Sequence, residues 1–384
     1  MKLILLLPII FCSIADKKRE DKTIKEEDKE KAKHLFIRAS VYINQQRYNE
    51  AISLLNEAKT LNPNLLDVYV ALGNAYISIN DTKKARENFS ELVKLAPNDK
   101  RGYQGLGFLH GFFLRDYEKA ISFYKKSYEL DKTDINVLIV IARFFEKLNK
   151  DSSDYYYKKA LTLSPDNPEA LKRYLNFLVE EKRFDEAIPY ANRAIEKMSH
   201  DETVMESAFK VYIQMGDPKK AIEIANELIK NNPNEYIYYL MRGSAYASIN
   251  ETKKALSDYE QAERLNPKSV GVFVRRAFLY LDLKEYNKSL NESKKALELN
   301  PKSEEILSAI YYVLAECYKG LALISEEEKN WDNALSMWEK AKGWYSKIYS
   351  LGDTPYRDYS IKMIDYSAKR WERAKRIKLG IGEE

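Results

Sequence analysis

The chain has 384 residues, 32% charged and 45% apolar, with a formal net charge of +5. That is an ordinary soluble composition, long enough for two or three compact domains or one extended array, and so slight a charge gives no reason to expect a nucleic-acid partner. Two cysteines, Cys12 and Cys317, exclude a disulfide framework, and only 13 Gly and 11 Pro favour helices over strands and turns.

Residues 1–15 open with Lys2, continue with an apolar run from Leu3 to Phe11 and end in small residues, the pattern of a secretory signal segment. The run is too short for a spanning helix of ~20 residues. Two processing routes compete. Cleavage after Ala15 would use the small residues of "SIA". Alternatively Cys12 is the lipidated first residue of a bacterial lipoprotein, although Phe11 stands where that motif carries a small residue. Both routes predict export, to the periplasm or to a membrane-anchored place in the cell envelope; the alternative is a frayed apolar N-terminus on a cytoplasmic protein. Residues 16–33 hold eight basic and seven acidic side chains and read as a solvated charged linker or a loose charged helix.

From residue 34 to 303 a period governs the chain. Pro63, Pro97, Pro165, Pro233, Pro267 and Pro301 are separated by 34 or 68 residues. Ala51, Ala85, Ala187, Ala221 and Ala255 keep the same beat, and so do Ala58, Ala160, Ala194, Ala262 and Ala296. Such a period means a solenoid of repeated supersecondary units. The unit that begins at Leu66 carries Tyr69 at its fourth position, Leu72 and Gly73 at the seventh and eighth, and Tyr76 at the eleventh. Ala85, Phe89 and Pro97 follow at twenty, twenty-four and thirty-two. This resembles the tetratricopeptide repeat. Eight units run from about residue 32 to 303, roughly seven-tenths of the chain. The third has one extra residue before Ala120 and the fourth is one residue shorter. The fifth carries Tyr174 and Leu175 where the family prefers Leu-Gly, and the sixth has Phe209 at the small position.

The resemblance implies an all-α fold: a right-handed superhelical solenoid of about eight to nine helix-turn-helix units with a C-terminal helical cap. Gly73 would let helices approach closely, aromatic residues would fill the space between them, and proline would end each second helix. Residues 304–384 depart from the pattern. They read as an atypical long helical hairpin, with Ala334, Trp338 and Ala341 at the repeat's small and aromatic positions, and then a capping helix whose basic tail reads as its polar face.

No catalytic constellation is present, so the chain is not expected to be an enzyme or to need a cofactor. His34, His110 and His200 fall in different units without metal-ligand spacing. "GYQGLGFLHG" (102–111) looks like a phosphate-cradling loop, but its glycines fall at the small positions of a repeat helix. Cys317 reads as a small apolar residue in a helix.

The family resemblance implies a concave groove lined by the first helix of each unit at positions two, five, nine and twelve. Its polar candidates here are Asp67, Asn74, Arg101, Gln104, Asn136, Arg143, Lys172, Asn176 and Lys210. Ile237, Leu240, Val274, Phe278 and Leu281 would make the C-terminal end apolar, open to a peptide or covered by the protein's own cap. A clamp for a chain-terminal carboxylate is matched only by Lys172 and Asn176. Ser207, Ile237 and Met241 stand where asparagine and basic residues are wanted, so chaperone-tail binding is not supported. The expected partner is a protein or extended peptide, with membrane contact only through an N-terminal lipid anchor and the oligomeric state left open. The expected role is a non-catalytic interaction scaffold in the bacterial envelope. A lipid-anchored assembly factor of an outer-membrane machine and a regulatory subunit of a separate enzyme are the alternatives.

Overall fold

The computed structural model describes residues 24–381. The expected signal segment with Cys12, and residues 16–23 of the charged linker, lie outside them. The chain is all-α: nineteen α-helices and no strand occur among the described residues. They divide near residue 170 into two compact units.

The first unit holds α1 (Glu26–Asn44), α2 (Tyr48–Leu61), α3 (Leu66–Ser78), α4 (Thr82–Leu95), α5 (Lys100–Phe108), α6 (Tyr117–Leu130), α7 (Ile135–Phe145) and α8 (Lys150–Leu163). Consecutive helices pair as antiparallel hairpins. The charged stretch is helical from Glu26, because Glu26, Glu27 and Asp28 suit the positive end of the α1 dipole and Ala32 and Leu35 pack into the core shared with α2. The second unit begins within α9 (Pro168–Glu180) and continues with α10 (Phe184–Met198), α11 (Glu202–Gln214), α12 (Pro218–Asn231), α13 (Tyr236–Ser248), α14 (Thr252–Leu265), α15 (Val270–Asp282) and α16 (Tyr286–Glu298). Three longer helices close it: α17 (Glu304–Glu327), α18 (Trp331–Ser350) and α19 (Arg357–Lys378).

The periodic residues do periodic work. All ten alanines of the two series are fully buried, where a larger side chain would hold the helices apart. The hydroxyls of Tyr69 and Tyr239 donate to the carbonyls of Pro63 and Pro233, at 2.8 and 3.1 Å. The position-four tyrosine thus satisfies a carbonyl that the proline leaves outside the helical ladder. Four position-eleven tyrosines, at 76, 212, 246 and 280, have a lysine eight residues on lying over the ring, and Arg47 lies over the fifth, Tyr42.

Gly73 has a more specific reason than close backbone approach. A Cβ there would lie 2.4 Å from the nearest atom of the Phe89 ring, and one at Gly105 would lie 2.3 Å from the same ring. Phe89 is buried between the two glycines, so the small position seats an aromatic ring.

The turns keep time as well. Left-handed residues occur at Gln46 and Asn80 in the first unit and at Lys182, Gly216, Asn250 and Lys284 in the second, on one 34-residue lattice. After each, a backbone N–H reaches back five residues and ends the first helix, as from Asp81 to Tyr76 at 2.8 Å and from Glu285 to Tyr280 at 2.8 Å. The extra residue of the third repeat is absorbed by a π-helical turn, Leu109–Phe113. There the left-handed residue moves one place, to Arg115, and Asp116 reaches back six residues to His110 at 2.9 Å. The glycines of 102–107 lie in α5, with Gly105 and Gly107 against rings.

Two buried ion pairs break the apolar rule at position seven. Arg242 binds Asp258 at 2.8 and 2.7 Å, and 34 residues on Arg276 binds Glu292 at 2.7 and 2.6 Å. Asp258, Arg276 and Glu292 are all buried. Arg276 also donates to Glu263, and Lys295 donates to Glu292, which satisfies further polar atoms of that pair.

In the closing helices Trp338 is fully buried and its Nε1–H donates to Glu326, which also holds Arg370 of α19. Glu316 accepts from Tyr345 of α18 and Tyr359 of α19 and pairs with Lys319. One carboxylate on α17 thus ties both later helices. Cys317 is buried beside it, and burial pushes its thiol up to about 11.

Candidate protein-binding face

The first helices of successive hairpins, α1, α3, α5 and α7 in the first unit and α9, α11, α13 and α15 in the second, carry the residues expected to meet a partner. Much of that polar surface already binds itself. Arg101 opens α5, forks onto Asp99 with contacts between 2.6 and 3.0 Å, and reaches Asp67 of α3, 34 residues earlier. Its bonds to Asp99 outweigh partial burial and hold the guanidinium well above its ordinary value. Lys100 beside it binds Asp131 at 2.7 Å and Asp134 at 2.8 Å, and Gln104 donates to Asp134 at 3.0 Å. Burial alone would depress the Lys100 ammonium, but the two carboxylates outweigh it and raise it. The Lys100 bond, helped by Thr133, pulls Asp131 down to about 2. Arg143 lies 5.7 Å from the centre of the Phe112 ring. Asn74 is half-buried on α3 and Asn136 is exposed on α7.

In this first unit the expected basic middle of the groove is therefore a ladder of pairs between neighbouring repeats. Opposite charges 31 or 34 residues apart meet because the stack brings equivalent positions side by side. A ligand there would have to displace carboxylates already at hydrogen-bond distance.

The second unit divides its candidates. Lys172 of α9 binds Asp201 at 2.7 Å, and Asn176 accepts from the Ser207 hydroxyl at 2.6 Å. Two members of the carboxylate clamp are thus engaged with neighbours, and Ile237 and Met241 supply no charge. Asn176 and Lys210, however, meet in an open polar cleft of about 210 Å³ between α9 and α11, with Val179, Glu180, Thr203, Glu206 and Ser207 as its other walls. Lys210 is exposed at its edge. Burial holds the Glu206 carboxyl above the usual carboxylate range against the pull of Lys210, with Glu202 and Glu235 nearby pushing the same way as burial. Tyr238 of α13 donates to Glu202 at 2.9 Å, continuing the polar face. Thr203 and Glu206 stand at positions two and five of their unit, so the repeat register marked them even though they were not among the residues singled out.

Toward α15 the face is closed by the chain itself. Val274, Phe278 and Leu281 pack into one core with α17, where Phe278 stacks on Tyr312 with ring centres 6.2 Å apart. Leu240 joins the core around Tyr259, and Ile237 is half-buried. The α15 part of the apolar end is thus covered by α17.

Two family models of the tetratricopeptide repeat match, one at residues 42–106 and 178–242 and the other at 101–134, 236–269 and 270–303. Together they cover more than half of the chain. Over 132 residues the chain is 28% identical to Hsp70-Hsp90 organizing protein 3 of Arabidopsis thaliana, which is 34% of this chain and 22% of that protein. Over 130 residues it is 29% identical to Hsp70-Hsp90 organizing protein of Triticum aestivum, 34% of this chain and 21% of that one. The chain spans about a fifth of the length of these curated relatives. A solved tetratricopeptide repeat protein from Parabacteroides merdae, 18% identical, aligns with 65% of this chain and 98% of its own at a TM-score of 0.45.

Proposed function

Because the chain belongs to the tetratricopeptide repeat family, we propose that it is a non-catalytic scaffold that binds a protein or an extended peptide segment along its first-helix face. The observation that carries this reading is the open cleft at Asn176, Glu206, Ser207 and Lys210 in the second unit, where the neighbouring candidate cation Lys172 is already paired with Asp201. A preformed polar cleft spares a bound segment part of its ordering cost, because the receiving side chains are already fixed. Mixed charge at the cleft suits a peptide backbone, which offers donors and acceptors alternately, better than it suits a simple anion or cation.

The place of action under this reading is the bacterial cell envelope, supported by the leader pattern of residues 1–15. A second reading, a lipid-anchored assembly factor or structural subunit, rests on Cys12 with Ser13 behind it, although Phe11 departs from the lipoprotein motif. Fatty-acid labelling abolished by Cys12→Ser supports the anchor, and a mature protein beginning at Asp16 rules it out.

The scaffold reading is tested by crosslinking in the native cell. Partners captured by the wild-type chain should be lost in the double variant Asn176→Arg, Lys210→Glu and kept in Lys253→Glu, a charge reversal at an exposed site on α14. Unchanged capture by the double variant, with helicity intact, refutes the assigned face.

A further inference from the structure

Resting on the scaffold reading, we propose that the cleft between α9 and α11 selects its segment by charge: it takes one lysine or arginine side chain of the partner against Glu180 and Glu206. The reason lies in the ladder between repeats, one rung of which lacks a cation. The side chain at position five of a unit meets the residue that caps the next first helix. In the first unit Gln104 of α5 donates to Asp134, the N-cap of α7, at 3.0 Å. In the second unit Lys172 of α9 binds Asp201, the N-cap of α11, at 2.7 Å. One repeat later the same register sets Glu206 of α11 near Glu235, the N-cap of α13. A carboxylate thus stands where the other two rungs carry a donor, and two like charges face each other.

The surroundings do not supply the missing charge. Glu180 lines the cleft from α9, and Glu202 lies one turn before Glu206. Glu202 accepts from the Tyr238 hydroxyl and Glu235 from the Ile237 N–H, and none of the four carboxylates has an ion pair among the described residues. Lys210, exposed at the edge, is the one cation lining the cleft among them. Size and lining then choose among cations. No group of acidic, histidine or cysteine side chains among the described residues is gathered tightly enough to hold a metal ion, so a divalent cation would find no cage. A cleft of about 210 Å³ is smaller than the roughly 300–1,000 Å³ of small-molecule sites and suits a single side chain. Val179 gives it an apolar wall beside Glu180, which fits the aliphatic stem of a lysine or arginine whose head reaches the carboxylates. Asn176 accepts from Ser207 through its oxygen, which leaves its amide N–H groups to donate to the backbone of the bound segment.

The test uses the full chain and a random dodecapeptide library displayed on phage, with the helicity of every variant checked by circular dichroism. Peptides enriched by the wild-type chain and lost with Asn176→Arg, Lys210→Glu should share one lysine or arginine at a fixed position. Fluorescence anisotropy on an enriched peptide then isolates that contact. A neutral isostere of the basic residue, or Glu206→Gln in the chain, should each weaken binding about tenfold, and the two together no more than either alone. Glu180→Gln should weaken it several-fold. Glu223→Gln, at an exposed site on α12, should leave it unchanged, and calcium chloride should not displace the peptide. Cleft-dependent peptides without a shared basic residue, additive effects of the isostere and Glu206→Gln, or displacement by calcium overturn this inference and leave the scaffold reading standing. Enriched peptides indifferent to Asn176→Arg, Lys210→Glu, or no enrichment at all, fail the scaffold reading and this inference with it.

Discussion

Replacing Gly73 with alanine sets two opposing effects against each other within a single helix. Alanine favours a helix interior over glycine by about 1 kcal/mol, so on local grounds the variant should be more stable. Against this, the new Cβ would lie 2.4, 2.5 and 2.8 Å from three atoms of the Phe89 ring. Forcing a carbon into a filled core costs about 1–3 kcal/mol. The ring cannot retreat cheaply, because Gly105 presses the same ring, where a Cβ would sit 2.3 Å away. The cost should therefore fall in the upper part of that range, for a net destabilisation of about 1–2 kcal/mol. The assay is urea unfolding followed by far-ultraviolet circular dichroism. Tryptophan fluorescence would be blind here, since all four tryptophans lie between residues 331 and 371. Phe89→Leu removes the ring edge, so Gly73→Ala in that background should be neutral or stabilising, with a coupling of about 1–3 kcal/mol between the sites. A Gly73→Ala variant more stable than wild type, or a cycle with no coupling, refutes the ring-seating account.

Three further outcomes follow from the same geometry. Arg276→Met should destabilise by about 3 kcal/mol, the lower end for a broken buried pair because Lys295 still holds Glu292, and adding Glu292→Met should restore most of the loss in a denaturant titration. Lys284→Gly should stabilise by about 0.5–1 kcal/mol, since φ at Lys284 is +58° and glycine adopts it without a Cβ penalty; thermal unfolding reads the gain. Asp131 titrates near 2 in the folded chain against an ordinary 3.8, so its contribution is complete above the ordinary value and is lost as pH falls toward the folded one. Lys100→Met should flatten the fall in urea midpoint across that window.

Much of this architecture was legible because a repeat states each rule several times. Proline and alanine positions gave the phase, and the single extra residue before Ala120 foretold a local irregularity that the π-turn Leu109–Phe113 embodies. What escaped was the identity of side-chain partners. Arg242 and Arg276 occupy a position where the repeat carries an apolar residue, and charged residues on a helix default to the solvent side. Only the 16-residue spacing of Arg242 to Asp258, repeated 34 residues on by Arg276 and Glu292, betrays buried pairs. The candidate face was misjudged in charge for a related reason. Beyond the Asp99 cap that Arg101 meets in its own helix, the carboxylates that pair Arg101 and Lys172, Asp67 and Asp201, arrive from the neighbouring repeat. Asn176 and Lys210, 34 residues apart, are equivalent positions of adjacent repeats, and the stack brings them into one cleft between α9 and α11.

The most direct test of the central claim is amide hydrogen exchange on the chain with and without its crosslink-identified partner. Engagement of the first-helix face predicts slowed exchange concentrated in residues 168–180 and 202–214, lost in the Asn176→Arg, Lys210→Glu variant. Protection confined to the second helices of the hairpins, or no protection outside α18 and α19, would contradict it.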